Sequence, residues 1–174
     1  DIAPEFPGKL EYHDGEIIAM SLAKLWHEVL VNGLGFLLEQ HFRNQPFLVV
    51  NSNAGLQVPT KETGYYQPDL MVIQQPPVFK QGSECIITNP FLVVEVLSKS
   101  TSKYDQGDKM TDYKDVPSLQ YIIHLWQNRP FVSVHERTDN PDSWLVTDYK
   151  TLDSVARLGE LTLPLNEIYH KITF

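Results

Sequence analysis

Residues 91–97 read Phe-Leu-Val-Val-Glu-Val-Leu, a nearly unbroken apolar run with one carboxylate, Glu95, inside it. Such a run, without polar alternation, is expected of a central strand covered on both faces. It calls for helices above and below a sheet, and so for an α/β layering. It also makes Glu95 expensive. An ionised carboxylate in apolar surroundings must be paired or bound to a metal.

The remaining sequence supplies matching elements. Leu22, Leu25, Trp26, Val29, Leu30, Leu34, Leu37, Leu38 and His41 recur at helical spacing after Ser21, which offers an N-cap. They predict a long helix over residues 22–42, and Gly33 and Gly35 mark close packing on a sheet. Asp14-Gly15 between two alternating segments predicts a hairpin. Strands are expected at residues 47–51, 55–58, 69–73, 91–97, 120–125, 131–136 and 144–149. A second helix is expected over residues 102–115, ending before Pro117. The last twenty residues read as a short strand and an irregular or helical tail. The expectation is a single α/β domain spanning residues 1–174, a central mixed sheet flanked by helices. A chain that is 42% hydrophobic and 21% charged can bury the core this needs.

Cys85 is the single cysteine, which excludes an intrachain disulfide or a cysteine-based zinc site. With no disulfide framework, no visible signal peptide and no apolar run of membrane-spanning length, the expectation is a soluble cytoplasmic protein. The net charge of −8 argues against a basic nucleic-acid coat protein. The acid excess sits at the ends, however. Residues 1–20 carry one base and five acids, and residues 138–174 three bases and six acids. Residues 89–137, which hold Glu95, carry six of each. Resolved by segment, the charge does not exclude a local site that binds phosphates.

A second carboxylate, Asp69, follows Pro68 at the start of an expected strand. Beyond Glu95, the second helix carries Asp105, Lys109 and Tyr113 at four-residue steps, so they share one face. If that helix packs beside the strand ends, Lys109 reaches the space between Asp69 and Glu95. Two carboxylates and an ammonium would hold a divalent cation and stabilise charge developing on a phosphorane. Oxygen ligands favour Mg²⁺ over zinc, with Mn²⁺ as a substitute.

Three ordered segments carry a resemblance: Tyr65-Tyr66-Gln67-Pro68-Asp69, then Phe91 through Ser98 with Glu-Val-Leu-Ser at 95–98, then Thr101, Asp105, Lys109 and Tyr113. This set resembles the Uma2 family, also called DUF820, of bacterial proteins assigned as endonucleases within the PD-(D/E)XK superfamily. The resemblance runs from the Ser21 helix through the strand at Tyr121. It implies a restriction endonuclease-like core, Mg²⁺ ligated by Asp69 and Glu95, and hydrolysis of DNA phosphodiesters with help from a lysine. The superfamily motif expects that lysine two residues after the Glu, where this chain has Leu97. By the resemblance the following helix supplies it as Lys109, with Lys99 and Lys103 as rivals. If none reaches the site, the fold serves as an inactive binding or oligomerisation module. A nuclease acting on RNA or branched DNA is a third reading. His27 falls in the first helix, where the superfamily often sets a polar residue facing the site.

Plainer roles stand beside these. Lys109 on an exposed helix would by default pair with Asp105 at the surface. His41 suits a helix C-terminus. His13 and His170 read as surface residues, and His124 and His135 as satisfied structural residues on strands. The Tyr65-Tyr66 pair needs no role beyond a strand edge. The strands over residues 131–149, with Trp126 and Trp144 exposed, are where a homodimer contact is expected.

Overall fold

In the computed structural model, the apolar run becomes the fourth of six strands in a mixed sheet, covered on both faces. The structure describes residues 10–13, 16–19, 25–51, 53–61, 63–98 and 107–174. In chain order the elements are β1 (Leu10–His13), β2 (Glu16–Ala19), α1 (Leu25–Phe42), β3 (Phe47–Asn51), β4 (Gly55–Leu56), β5 (Gly64–Tyr65), β6 (Leu70–Gln74), β7 (Ile86–Ile87) and β8 (Pro90–Leu97). Then follow α2 (Asp108–Lys114), β9 (Tyr121–Trp126), β10 (Val132–Arg137), β11 (Trp144–Tyr149), β12 (Val155–Leu158), β13 (Leu161–Pro164) and α3 (Leu165–Ile168). The large sheet has the order β11-β10-β9-β8-β6-β3, with β8 and β9 parallel and the other neighbours antiparallel.

The period-two alternation of strand side chains sorts two cores. On one face Leu70, Val72, Val94, Val96, Ile123 and Leu125 pack with Leu30, Leu34 and Leu38 of α1 and with the β12–β13 hairpin. On the other, Met71, Ile73, Val93 and Ile122 pack with Met110, Tyr113 and Val116 on and beside α2. Each fully buried Leu, Val or Ile contributes roughly 1.5–3 kcal/mol. The mixed sheet with flanking helices is the expected α/β architecture. Among the described residues, no helix is long and apolar enough to cross a membrane.

Several local expectations change. Leu25 and Trp26 lie outside the buried stripe of α1, at 70% and 47% exposure. Gly35 does sit tight on the sheet: a Cβ there would stand 3.4 Å from Leu70 Cδ2. β6 begins at Leu70, so Asp69 immediately precedes the strand. β4 is shorter than the expected 55–58, and β5 and β7 are additional two-residue strands. The tail forms a hairpin before its short helix. Trp126 and Trp144 are half-buried rather than exposed, because each packs against a neighbouring side chain. β1 and β2 pair as a hairpin. Its Asp14-Gly15 turn, the Ser21 cap, and the Lys99, Thr101, Lys103 and Asp105 positions lie outside the described residues.

Arg137 ties α2 to the sheet. Its Nη2 donates to the carbonyls of Lys114 and Val116, both at 2.8 Å, and its Nε to Leu119 O at 2.7 Å. The guanidinium also lies 4.5 Å from the Trp144 ring. Carbonyls at a helix C-terminus lack intrahelical partners, and this side chain supplies them. It thereby fixes the end of the helix that carries Lys109.

A polar row crosses the α2 face of the sheet. In register, Glu95 faces His124, His124 faces Ser133, and Ser133 faces Asp148. Ser133 Oγ donates to Asp148 Oδ1 at 2.9 Å, and His135 Nε2 lies 3.4 Å from the same hydroxyl. The two imidazoles meet edge to face at 5.3 Å. They are not the satisfied residues expected. His124 Nε2 and His135 Nδ1 are buried without a hydrogen-bond partner among the described residues. The two rings pack against each other, and neither of these nitrogens meets a hydrogen-bonding group in that arrangement. Burial pushes the His124 imidazole down to about 3, helped by the positive charges around it at His135, Lys109 and Lys114. Burial and Lys114 push His135 down to about 4, against the opposing pull of Asp148.

The unfolded chain therefore takes up protons on these histidines before the folded one does. The stability this gives is complete above about pH 6.5 and is lost as pH falls, down to about 3 for His124 at up to about 1.4 kcal/mol per pH unit, and down to about 4 for the partly exposed His135, whose share is smaller because solvent screens it. Thermal melts from pH 8 to pH 4 should show this loss, and His124→Gln should flatten it. A variant with the wild-type slope would refute the assignment.

Candidate functional site

Asp69 and Glu95 are held side by side by strand register. Leu70 pairs with Val94 across β6 and β8, and Asp69 N donates to Val94 O at 3.1 Å. Both carboxylates are buried, at 6% and 3% exposure. Two such groups in one low-dielectric place repel each other and lose hydration, so each needs donors.

The donors come from both faces. From α1, His27 Nε2 lies 3.0 Å from Asp69 Oδ2. From β8, the Val96 backbone N–H donates to the same oxygen at 2.8 Å. The other ring nitrogen of His27, Nδ1, lies 3.2 Å from Glu28 Oε1, at the protein surface. If Glu28 accepts from Nδ1–H, the bond to Asp69 needs a proton on Nε2 as well, and the imidazole is then cationic.

From α2, Lys109 Nζ stands 2.9 Å from Glu95 Oε1, and the Tyr113 hydroxyl donates to the same oxygen at 2.6 Å. Lys109 is 1% exposed, so it is not the solvated surface charge of the plainer reading; Asp105 lies outside the described residues. Its ammonium also lies 5.6 Å and 5.9 Å from the ring centroids of Tyr66 and Tyr113. Those rings meet edge to face at 5.4 Å. The electron-rich ring faces suit a desolvated ammonium. Tyr66 in turn donates its hydroxyl to Asp112 of α2, which also accepts from Thr60 Oγ1 at 2.9 Å and lies 3.7 Å from Lys61 Nζ. The segment before Asp69 is thus fastened to the helix that carries Lys109.

The sequence residues therefore separate clearly. Asp69, Glu95, Lys109 and His27 come together at one end of β6 and β8. Leu97 is fully buried, on the Glu95 face of β8. In the sequence Tyr113 falls on the Lys109 face with no role assigned, and Tyr66 reads as a strand-edge residue. A signal existed for Tyr113, since four-residue spacing puts it next to Lys109. None existed for Tyr66, whose place depends on how the loop crosses α2.

Oxygen donors dominate, as a hard divalent cation requires. Among the described residues, no group of three or more His, Cys, Asp and Glu side chains could hold a metal ion. A metal ion held here would have only the Asp69 and Glu95 carboxylates as protein ligands among the described residues, and would need water or substrate oxygens besides. That fits Mg²⁺, which keeps several waters, better than zinc.

Comparison with known proteins gives a consistent picture. Residues 4–166 match the family model for Uma2, described as "putative restriction endonuclease". Two uncharacterized proteins of Synechocystis sp. are similar. One, sll1609, is 31% identical over 140 residues, covering 80% of this chain and 78% of that protein. The other, slr1290, is 32% identical over 168 residues, covering 95% and 86%. A crystal structure of a DUF820 protein from Anabaena variabilis, titled a putative nuclease, superposes with a TM-score of 0.72 at 15% identity, over 96% of this chain and 94% of that one. That likeness shows the same fold. With the family match over most of its length, the chain belongs to the Uma2 family.

Proposed function

We propose that this protein is a divalent-metal-dependent deoxyribonuclease in which Asp69 and Glu95 hold Mg²⁺ and Lys109 assists from the following helix. The observation that carries the reading is the buried Lys109–Glu95 pair at 2.9 Å, beside Asp69. Removing two charges from water costs several kcal/mol per ion, and a surface pair would serve stability as well. A fold that carries this cost beside a second buried carboxylate holds a charge pattern suited to chemistry.

A bound Mg²⁺ would supply Lewis acidity to a phosphate oxygen and lower the pKa of a bound water. The chain's own residues do the rest. Asp69 is oriented by the Val96 N–H and by His27. Glu95 is oriented by Tyr113 and Lys109. The Lys109 ammonium, caged by two rings, is placed to donate a hydrogen bond to a phosphate oxygen as negative charge grows there. Water attacks phosphorus in line and gives up a proton to solvent, the P–O bond opposite it breaks, and the leaving oxygen takes a proton from solvent, so that one product ends in a phosphate and the other in a hydroxyl. Leu97 at the motif position supplies no cation, and the helix-borne lysine makes good that loss. DNA is the substrate in this reading, and the setting is cytoplasmic. A homodimer contact would use the edge strand β11, where Leu145 and Val146 are exposed. Leu97 is also the observation that favours the other reading, an inactive binding module. Protein that leaves plasmid and single-stranded DNA intact with both Mg²⁺ and Mn²⁺ would establish that one.

Asp69→Asn and Glu95→Gln should each abolish DNA cleavage and calorimetric Mg²⁺ binding. Intact Mg²⁺ binding in both variants would refute the metal site. Lys109→Met should lower the cleavage rate by roughly 10²–10³-fold at saturating Mg²⁺ while Mg²⁺ still binds. Wild-type turnover in a folded Lys109→Met protein would move the role to Lys99 or Lys103.

A further inference from the structure

The β9–β10 turn carries a basic and aromatic cluster at the end of the sheet that holds Asp69 and Glu95. The Gln127 N–H donates to Leu97 O at 3.2 Å, so this turn stands directly beside the end of β8. Trp126 faces Leu97 in register, two residues along from the Glu95–His124 pair and on the same face. The exposed Arg129 lies 5.3 Å from the Trp126 ring and 4.6 Å from the Phe131 ring, and those rings pack at 4.5 Å. Lys150, on the neighbouring strand end, lies 5.5 Å from the Phe131 ring with its side chain 63% exposed.

The turn is firmly held. The buried Tyr169 hydroxyl lies 3.0 Å from Trp126 O and 2.9 Å from Phe131 O and donates between them. Arg129 is therefore a stacked cation on a fixed hairpin, with its planar donor fork open to solvent. Stacking reduces the side-chain entropy lost when such a fork binds. Among the described residues the acid paired with Lys150 is Asp148, at 3.5 Å, and that exposed pair is a weak competitor for a phosphate. A chain of net charge −8 has little general attraction for nucleic acid, so local cations must hold the strand.

We propose that Arg129 and Lys150 bind the sugar–phosphate backbone of the DNA strand whose neighbouring phosphate enters the Asp69–Glu95 site. The proposal rests on the nuclease reading and adds the path of the strand: off the end of β8, across the β9–β10 turn, towards β11. The contacts are to phosphates, so they position the strand and carry no sequence preference.

The test is fluorescence anisotropy with a labelled DNA duplex and a labelled single strand, Ca²⁺ replacing Mg²⁺, over a series of salt concentrations. Arg129→Gln should weaken binding roughly tenfold. It should also lower the slope of log affinity against log salt by about one, and adding Lys150→Gln should lower it by about two in all. Arg129→Lys should keep the salt slope and recover part of the affinity. Melting temperatures should stay at the wild-type value, since both side chains are exposed. Wild-type affinity and slope in the double variant, with DNA still bound, would overturn this inference and leave the nuclease reading standing. Wild-type protein that binds neither DNA at low salt would overturn both.

Discussion

The structure turns on the pairing of Glu95 with Lys109 inside the protein. A carboxylate in the middle of the most apolar strand is untenable alone, and its partner has to come from an element packed on that face. α2 is that element. Removing either partner leaves an uncompensated buried charge, which typically costs about 3–5 kcal/mol. The pair therefore sets where α2 lies, and Arg137 fixes the helix end from the opposite side.

The other face follows from the same strand. Its even-numbered residues, Leu92, Val94 and Val96, point towards α1, and the buried stripe of α1 fits against them. That packing brings His27 over the start of β6, within reach of Asp69. Two helices on opposite faces thus each deliver a nitrogen to one of two adjacent carboxylates. Neither helix does this alone, and the antiparallel register of β6 and β8 is what brings the two carboxylates together.

Much of this was legible in the sequence, because it depends on local period. The apolar run at residues 91–97 announced a central strand, and Glu95 within it announced a partner. Four-residue spacing placed Lys109 and Tyr113 on one face before any packing was known. The long helix was legible too, although Leu25 and Trp26 belong to its spacing and not to its core. What stayed hidden depends on closure. The unpartnered nitrogens of His124 and His135, the Tyr66–Asp112 anchor and the Arg137 clamp all join segments far apart in the chain. No periodicity encodes those meetings. The place of Arg129 is another such case, because its turn adjoins the end of β8 only through the sheet order.

Asp69 and Glu95, with Lys109 beside them, are the residues proposed to bind a divalent cation. Crystals soaked in Mn²⁺, with diffraction recorded at the manganese edge, test this most directly. One anomalous peak between the Asp69 and Glu95 carboxylates, near the Lys109 ammonium, is expected. Crystals of the intact protein with no peak there at saturating Mn²⁺ would rule the site out.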